Sequence, residues 1–327
     1  MIRVHKTLTQ LFERRVGPAH GASTGWSGVD DVQAMNWVDR GQKLNIEPNE
    51  QHAGSCIGVS RMSSVQLTGG AFTLWIQLRG SAWLHAREGR FRLHRGNWIV
   101  LDRDSRPSLQ ADRHGVCIGV ALCGADLDVL KEDACRLYPG LGQMRRCDLQ
   151  IALRLWRQLG MHLQNPGTAR AAALQPLLRH IAHLQQALGV LEARCPGRSL
   201  HRKRHVLGRL CRAHLLLQGN VDRVVRVSEL AELSNLSYWY FSKAFLGLFG
   251  ENPQATGARL RLQHAGELLA NSDLIIGEVG AACGFESGCS FARAFRAHFG
   301  VSASVYRAHA LRTKANSAHA QRVSRTG

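Results

Sequence analysis

No uninterrupted apolar run in this 327-residue sequence approaches eighteen residues, which argues against a membrane-spanning helix. The opening MIRVHKTLTQ has no apolar signal-peptide core, so a cytoplasmic protein with no membrane partner is expected. Acidic residues are scarce, 24 against 42 Lys and Arg, for a net charge of +18. From Gly197 onward eighteen basic residues face eight acidic ones. That balance favours a polyanionic partner, nucleic acid ahead of a membrane surface. The nine cysteines are odd in number and scattered, which fits reduced thiols better than a disulfide framework. Cys283 and Cys289 have no matching His or Cys pair downstream, so they read as structural thiols and not as a metal site. The length suggests two domains, each large enough for a core of its own.

What is present is a repeat. VSELAELSNLSYWYFSKAFLGLFG (Val227 to Gly250) returns as IIGEVGAACGFESGCSFARAFRAHFG (Ile275 to Gly300). An offset of fifty lays Phe241 on Phe291, Lys243 on Arg293, Phe245 on Phe295, Phe249 on Phe299 and Gly250 on Gly300. Upstream the offset is forty-nine, pairing Glu229 with Glu278, Leu230 with Val279 and Leu236 with Phe285, so the copies differ by one residue in a turn. Duplication at this spacing means two similar supersecondary units. In each, a short helix should reverse at Asn235 or Gly284, the residue types that best tolerate a left-handed backbone. Ser237 and Ser287 then offer N-cap oxygens to a second helix. On that helix Phe241, Ala244, Phe245, Leu248 and Phe249 share one face, leaving Tyr238, Trp239, Ser242 and Lys243 opposite. In the second copy Phe291, Phe295 and Phe299 are the buried set, and Cys289, Ala292, Arg293 and Arg296 are left outside. Tyr238 and Trp239 read either as contacts or as surface-packed aromatics.

Between the copies, Asn252 reads as an N-cap and Pro253 as the first residue of a helix with Leu260, Ala265, Leu268 and Leu269 along one stripe. From Pro253 to Ala270 it would be about 27 Å long. Such a rod can hold two recognition helices about one DNA turn, about 34 Å, apart.

From about Arg204 to Tyr306 the chain resembles the DNA-binding domain of the AraC/XylS family of bacterial transcription regulators. The residues that carry the likeness are SELAELSNLS with FSKAF, then RLRLQHAGELL, then GFESGCSFARAFRAHFGVSASVYR. Two departures are visible: Gly280 stands where relatives have alanine, and Ala303 where a proline normally opens the last helix, which should soften that helix's start. The resemblance implies a sequence-specific regulator of promoters, an activator or a repressor, with double-stranded DNA and RNA polymerase as partners. It makes Tyr238, Trp239, Ser242, Lys243, Gly288, Cys289, Ser290, Arg293 and Arg296 DNA-binding residues, with Trp239, Ser242 and Lys243 in one major groove and Cys289 and Arg293 in the next. Because Gly288, Cys289 and Ala292 are small, the second head should specify fewer bases than the first.

The N-terminal half is plainer. From about Ser55 to Val120 short apolar runs alternate with turn residues, which reads as a β-sandwich or barrel. FTLWIQLRGSAWLHAREGRFRLHRGNWIVLDRD resembles the cupin-like sensor domain that often precedes this DNA-binding domain. Cupin metal sites use two histidines one residue apart with a nearby glutamate, whereas His85 is followed here by Ala86 and Arg87. No metal or other cofactor is therefore expected, and His85, His94 and His114 read as surface residues. Trp75, Trp83 and Trp98 are candidates to line an effector pocket, with core packing as the alternative. Arg79, Arg87 and Arg90 could pair with an acidic effector or form a solvated face.

From about Asp148 to Ala193 leucines recur at helical spacing, broken at NPG (Asn165 to Gly167). These helices would pair two subunits, as in the resembled family, or cover their own sheet. CPGRSLHRKRH (Cys195 to His205) reads as an exposed basic linker, and the tail beyond Leu311 as disordered. The fold expected is α+β multidomain: a cupin-like sensor and dimerisation domain over residues 1–193, a linker over 194–204, an all-α DNA-binding domain over 205–310, and a basic tail over 311–327. The expected function is transcription regulation by a homodimer that responds to a small-molecule effector, with no enzymatic activity. Two alternatives stand beside it. A cupin-type enzyme with a nucleic-acid-binding appendage would require a metal triad or catalytic dyad, which the sequence lacks. A nonspecific architectural DNA binder would show no preference for one promoter.

Overall fold

The computed structural model describes residues 35–47, 55–163 and 170–313. The NPG break, the opening ten residues and the tail from residue 314 lie outside them. The N-terminal region holds eleven described strands: β1 (Met35–Val38), β2 (Lys43–Ile46), β3 (Ser55–Ser60), β4 (Ser64–Leu67), β5 (Phe72–Arg79), β6 (Ser81–Ala86), β7 (Gly89–His94), β8 (Asn97–Leu101), β9 (Ser108–Ala111), β10 (Val116–Leu122) and β11 (Gly140–Gln143). They form a six-stranded sheet, β1-β3-β10-β5-β8-β11, and a five-stranded sheet, β2-β4-β9-β6-β7. Eight of these strands fall within the stretch whose alternation announced them. β1, β2 and β11 lie outside that stretch.

The six-stranded sheet is covered on both faces. Along β5, Phe72, Leu74 and Ile76 face one core while Trp75 faces the other; along β8, Trp98 and Val100 divide from Ile99 and Leu101 in the same way. One core lies between the two sheets. The other is completed by α1 (Arg146–Leu163) and α2 (Arg170–Leu184), through Leu149, Ala152, Trp156, Leu159, Leu174, Leu177, Leu178 and Ile181. The Trp156 indole N–H donates to the Gly119 carbonyl at 2.8 Å, satisfying a polar group that burial would otherwise strand. Of the two readings of these helices, covering their own sheet is the one their apolar faces serve in this chain. In the five-stranded sheet, β6 and β7 alternate between core and solvent, as an antiparallel sheet with one wet face must.

The expected linker is not free chain. After the short α3 (Gln186–Glu192) Cys195 is buried, Ser199 accepts a hydrogen bond from the Arg202 N–H at 3.2 Å, and α4 (Leu200–Gly219) starts directly afterwards. A run of basic residues hid this helix. Two of its arginines anchor it to the sheet region: Arg204 meets Asp133 at 2.7 Å and Glu192 at 3.2 Å, and Arg212 meets Glu88 at 2.6 Å and Asp104 at 2.7 Å. Leu215 of the same helix is fully buried in the core between the two sheets. The remaining leucines of α4 pack with the helices that follow.

Candidate nucleic-acid interface

The first repeat forms α5 (Val227–Leu233) and α6 (Tyr238–Phe249); the second forms α8 (Ile276–Ala282) and α9 (Gly288–Phe299), with α7 (Pro253–Asn271) between them. Glu229 accepts a hydrogen bond from the Arg226 N–H at 3.0 Å and Glu278 from the Ile275 N–H at 2.9 Å, so one carboxylate closes the first turn of each leading helix. Both turns reverse where expected, at Asn235 with φ +48 and Gly284 with φ +71. Ser237 caps α6 through the Tyr240 N–H, and Ser287 caps α9 through the Ser290 N–H. Both second helices end on left-handed glycines, Gly250 and Gly300. The aromatic stacks repeat as well: ring centroids are 5.5 and 4.6 Å apart along Phe241, Phe245 and Phe249, and 5.5 and 4.5 Å apart along Phe291, Phe295 and Phe299.

α7 is nineteen residues long, about 28 Å at 1.5 Å per residue. Asn252 caps it by accepting from the Ala255 N–H at 2.8 Å, and Pro253 opens it. Its stripe is richer than expected, for Leu262 is also buried while Leu260 and Leu268 are only partly so. The departures from the family pattern have local explanations. A Cβ on Gly280 would approach the Phe291 ring to 3.0 Å, so glycine admits that ring tightly. The last helix, 303–313, starts at the buried Ala303, with the Ser302 hydroxyl accepting from the Val305 N–H at 3.4 Å.

Two positioning residues escaped the sequence reading. Arg209 on α4 donates to the Asn235 carbonyl at 3.1 Å, and Arg261 on α7 donates to the Gly284 carbonyl at 3.0 Å while lying 4.9 Å above the Phe285 ring. Each repeat thus has an arginine on the helix before it that ties down the turn. Nothing in the sequence sets these two apart from the other basic residues of the same helices. The second turn also touches the segment that leads into the first repeat, because Gly284 lies against the backbone of Asp222 and Arg223. His214 stacks on Phe249 at 4.9 Å behind α6; burial, helped by the Arg259 charge, lowers its pKa to about 4. The Cys283 thiol is buried and pushed up to about 11, as suits a structural thiol.

On α6 Trp239 is 82% exposed, Tyr238 is 48% exposed and set edge-on to it, Lys243 is exposed and Ser242 is half-buried. On α9 Gly288, Cys289, Arg293 and Arg296 are exposed. Ser290 is half-buried and its hydroxyl donates to the Ser287 carbonyl at 2.8 Å, which spends the donor that a phosphate would need. Each second helix therefore carries one buried aromatic face and one free polar face.

The three tryptophans proposed for an effector pocket do not converge. Trp75 lies in the core between the sheets over Gly119, its partner across the ladder, and Trp98 lies on the opposite face of the same sheet over its own partner Gly142. Trp37 covers Gly58 in the same manner. In each pair a Cβ on the glycine would collide with the indole, so the ring fills the space that the missing side chain leaves. Trp83 is on the outer face of the five-stranded sheet. Arg87 pairs with Asp104 at 2.6 Å, and Arg79 and Arg90 are exposed. His85, His94 and His114 are exposed strand and turn residues.

Paired turns, matched caps and two free faces joined by one rod define a double helix-turn-helix unit. Residues 230–309 match the helix-turn-helix domain family. Among curated proteins the chain is similar to the MmsAB operon regulatory protein of Pseudomonas aeruginosa, 29% identical over 94 residues, or 29% of this chain and 31% of that one. It is similar to the HTH-type transcriptional regulator ArgR of the same organism, 30% identical over 94 residues, covering 29% of each. The lactose operon transcription activator of Staphylococcus xylosus is 28% identical over 90 residues, covering 28% of this chain and 32% of that protein. The matched part thus spans less than a third of each of these relatives. Among solved structures, an AraC-type DNA-binding domain protein from Chromobacterium violaceum is 28% identical, covering 31% of this chain and 91% of that one, with a TM-score of 0.30. Residues 230–309 thus form a helix-turn-helix domain.

Proposed function

We propose that the chain is a sequence-specific transcription regulator that reads double-stranded promoter DNA with α6 and α9. The observation that carries this is the duplicated pair of exposed helix faces, each fixed by its own turn, cap and arginine tie. Trp239, Ser242 and Lys243 serve one groove; Cys289, Arg293 and Arg296 serve the next, with Tyr238, Gly288 and Ser290 at the margins. The protein acts as a regulator and not as an enzyme, in the cytoplasm, as a homodimer that answers to a small effector and to RNA polymerase. Among the described residues no helix is long and apolar enough to cross a membrane.

Binding of the full chain to operator DNA tests the reading. Log affinity should fall with log salt by about 0.9 per phosphate contacted. Lys243→Ala or Arg293→Ala should cost about 1–3 kcal/mol and relax preference at one base position if the side chain reads guanine. A variant that weakens operator and random DNA alike would assign that side chain to the phosphates. An unchanged affinity in both variants would sink the assignment of these faces. Base-by-base operator mutation should give smaller penalties across the α9 half-site than across the α6 half-site.

A further inference from the structure

The β6–β7 hairpin carries a cationic cluster that the DNA-reading faces do not use. On the outer face of the five-stranded sheet, Trp83 stands directly across from Arg92, and His85 from Arg90. The Arg90 guanidinium lies 4.5 Å from the centre of the Trp83 ring and that of Arg92 lies 5.4 Å from it. His94 continues the same exposed row. Against these charges stands Asp112, 3.7 Å from Arg92 and hydrogen-bonded to the Ser81 hydroxyl. Arg90 pairs with no carboxylate among the described residues.

We propose that this cluster binds a small organic anion bearing two or more carboxylate or phosphate groups, held by Arg90 and Arg92 over Trp83. Stacking on one indole fixes both guanidiniums in advance, which leaves their forks of N–H donors ready for bidentate bonds to oxyanions. Residues two apart on a strand have Cα atoms about 6.8 Å apart. Here both forks are drawn toward one ring instead of splaying along the strand, a geometry that suits a compact dianion better than an extended polymer backbone. The hairpin is also the part of the sandwich that grips α4. Its turn residue Glu88 is fully buried and accepts from Arg212 at 2.6 Å and from the Ser105 hydroxyl at 2.9 Å. The Asn220 amide donates to the Glu88 carbonyl at 2.9 Å, and Gly89 abuts Gly219. An anion drawn onto Arg90, two residues from Glu88, therefore acts on the first helix of the DNA-binding unit. This transmission rests on the regulator reading above.

Calorimetric titration of the full-length protein with citrate, at constant ionic strength and with acetate as the monovalent control, tests the site without DNA. Saturable binding of one citrate per chain is expected, with acetate at least tenfold weaker. R90Q/R92Q should lose at least tenfold in citrate affinity while keeping the wild-type melting curve, since both side chains are exposed. Arg90→Lys, which keeps the charge but not the fork, should weaken citrate several-fold and replaces the double variant should that one fail to fold. Equal binding of citrate and acetate, or unchanged citrate affinity in these variants, would overturn the site. Displacement of citrate by random-sequence DNA would assign the face to nucleic-acid phosphates and overturn it equally. Arg212→Met, which removes the side-chain tie from Glu88 to α4, should retain citrate binding and lose any citrate-dependent change in operator affinity; a wild-type response in that variant would overturn the transmission alone.

Discussion

Replacing Arg212 by methionine tests whether the sandwich and the DNA-binding unit are held together by a buried charge. Glu88 is fully buried, and one of its carboxylate oxygens has no hydrogen-bond partner; the other accepts from Arg212 and Ser105. Without the guanidinium, a buried carboxylate keeps one hydroxyl donor. Leaving such a charge uncompensated costs about 3–5 kcal/mol. For a chain of this size that is of the order of 10 °C in Tm. Glu88→Gln should cost less, because a neutral amide oxygen still accepts from Ser105 and Arg212, and Arg212 keeps Asp104 at 2.7 Å. The double variant E88M/R212M should be more stable than R212M alone, since exchanging a buried pair for apolar residues of similar volume is often neutral or stabilising. Thermal and urea unfolding of the wild type, E88M, R212M and E88M/R212M give the cycle. Two single-variant costs below 1 kcal/mol, or a double variant as unstable as their sum, would refute the reasoning.

Two further perturbations follow from local geometry. A Cβ on Gly284 would lie 2.8 Å from the Asp222 carbonyl oxygen at a residue with φ +71, whereas one on Gly250, at φ +73, meets nothing within 4 Å. Gly250→Ala should therefore cost about 1–2 kcal/mol for the left-handed backbone alone, and Gly284→Ala clearly more, with equal urea midpoints counting against the contact between the second turn and the segment that leads into the first repeat. His214 has a folded pKa of about 4 against about 6.5 unfolded, so the unfolded chain binds the extra proton between those values. Its stability contribution is whole above pH 6.5 and is lost as pH falls toward 4, by up to about 3 kcal/mol, and His214→Phe should flatten that limb of the curve; a variant with the wild-type slope would rule the histidine out.

What could be read in the sequence was whatever is local. Asn235, Gly284, Ser237 and Ser287 were legible because a tight helical turn has few residue solutions, and the duplication displayed each solution twice. The phenylalanine faces were legible from the helical period. Arg209 and Arg261 were not, since one arginine among several basic residues on a helix gives no sign of which carbonyl it will reach. The tryptophans misled for a related reason: alternation shows that Trp75 points inward, but only the strand register shows that Gly119 lies beneath it and Trp98 on the far side. The Glu88–Arg212 pair joins residues 124 positions apart, beyond any periodicity.

The boundary between the two halves is where these limits matter most. The sequence reading puts it in an exposed linker, which implies that a fragment from Ser199 to Thr313 binds operator DNA by itself. That expectation needs a revision in energy. The two helix-turn-helix cores are closed by residues of α4 to α9 and the last helix, with Tyr138 and Cys195 at the edge, so the fragment retains nearly all of its own apolar packing. Leu215 is the exception, being fully buried among sandwich residues. Freed from the sandwich it would face water, forfeiting about 1.5–3 kcal/mol. Leu215→Ala should thus cost the full chain about 2–5 kcal/mol through the lost side chain and the cavity left behind. In the fragment the same change should be nearly silent. Urea unfolding of both proteins, with and without the substitution, separates the cases. Equal costs would mean that Leu215 belongs to the DNA-binding core and contributes nothing to holding the sandwich on α4.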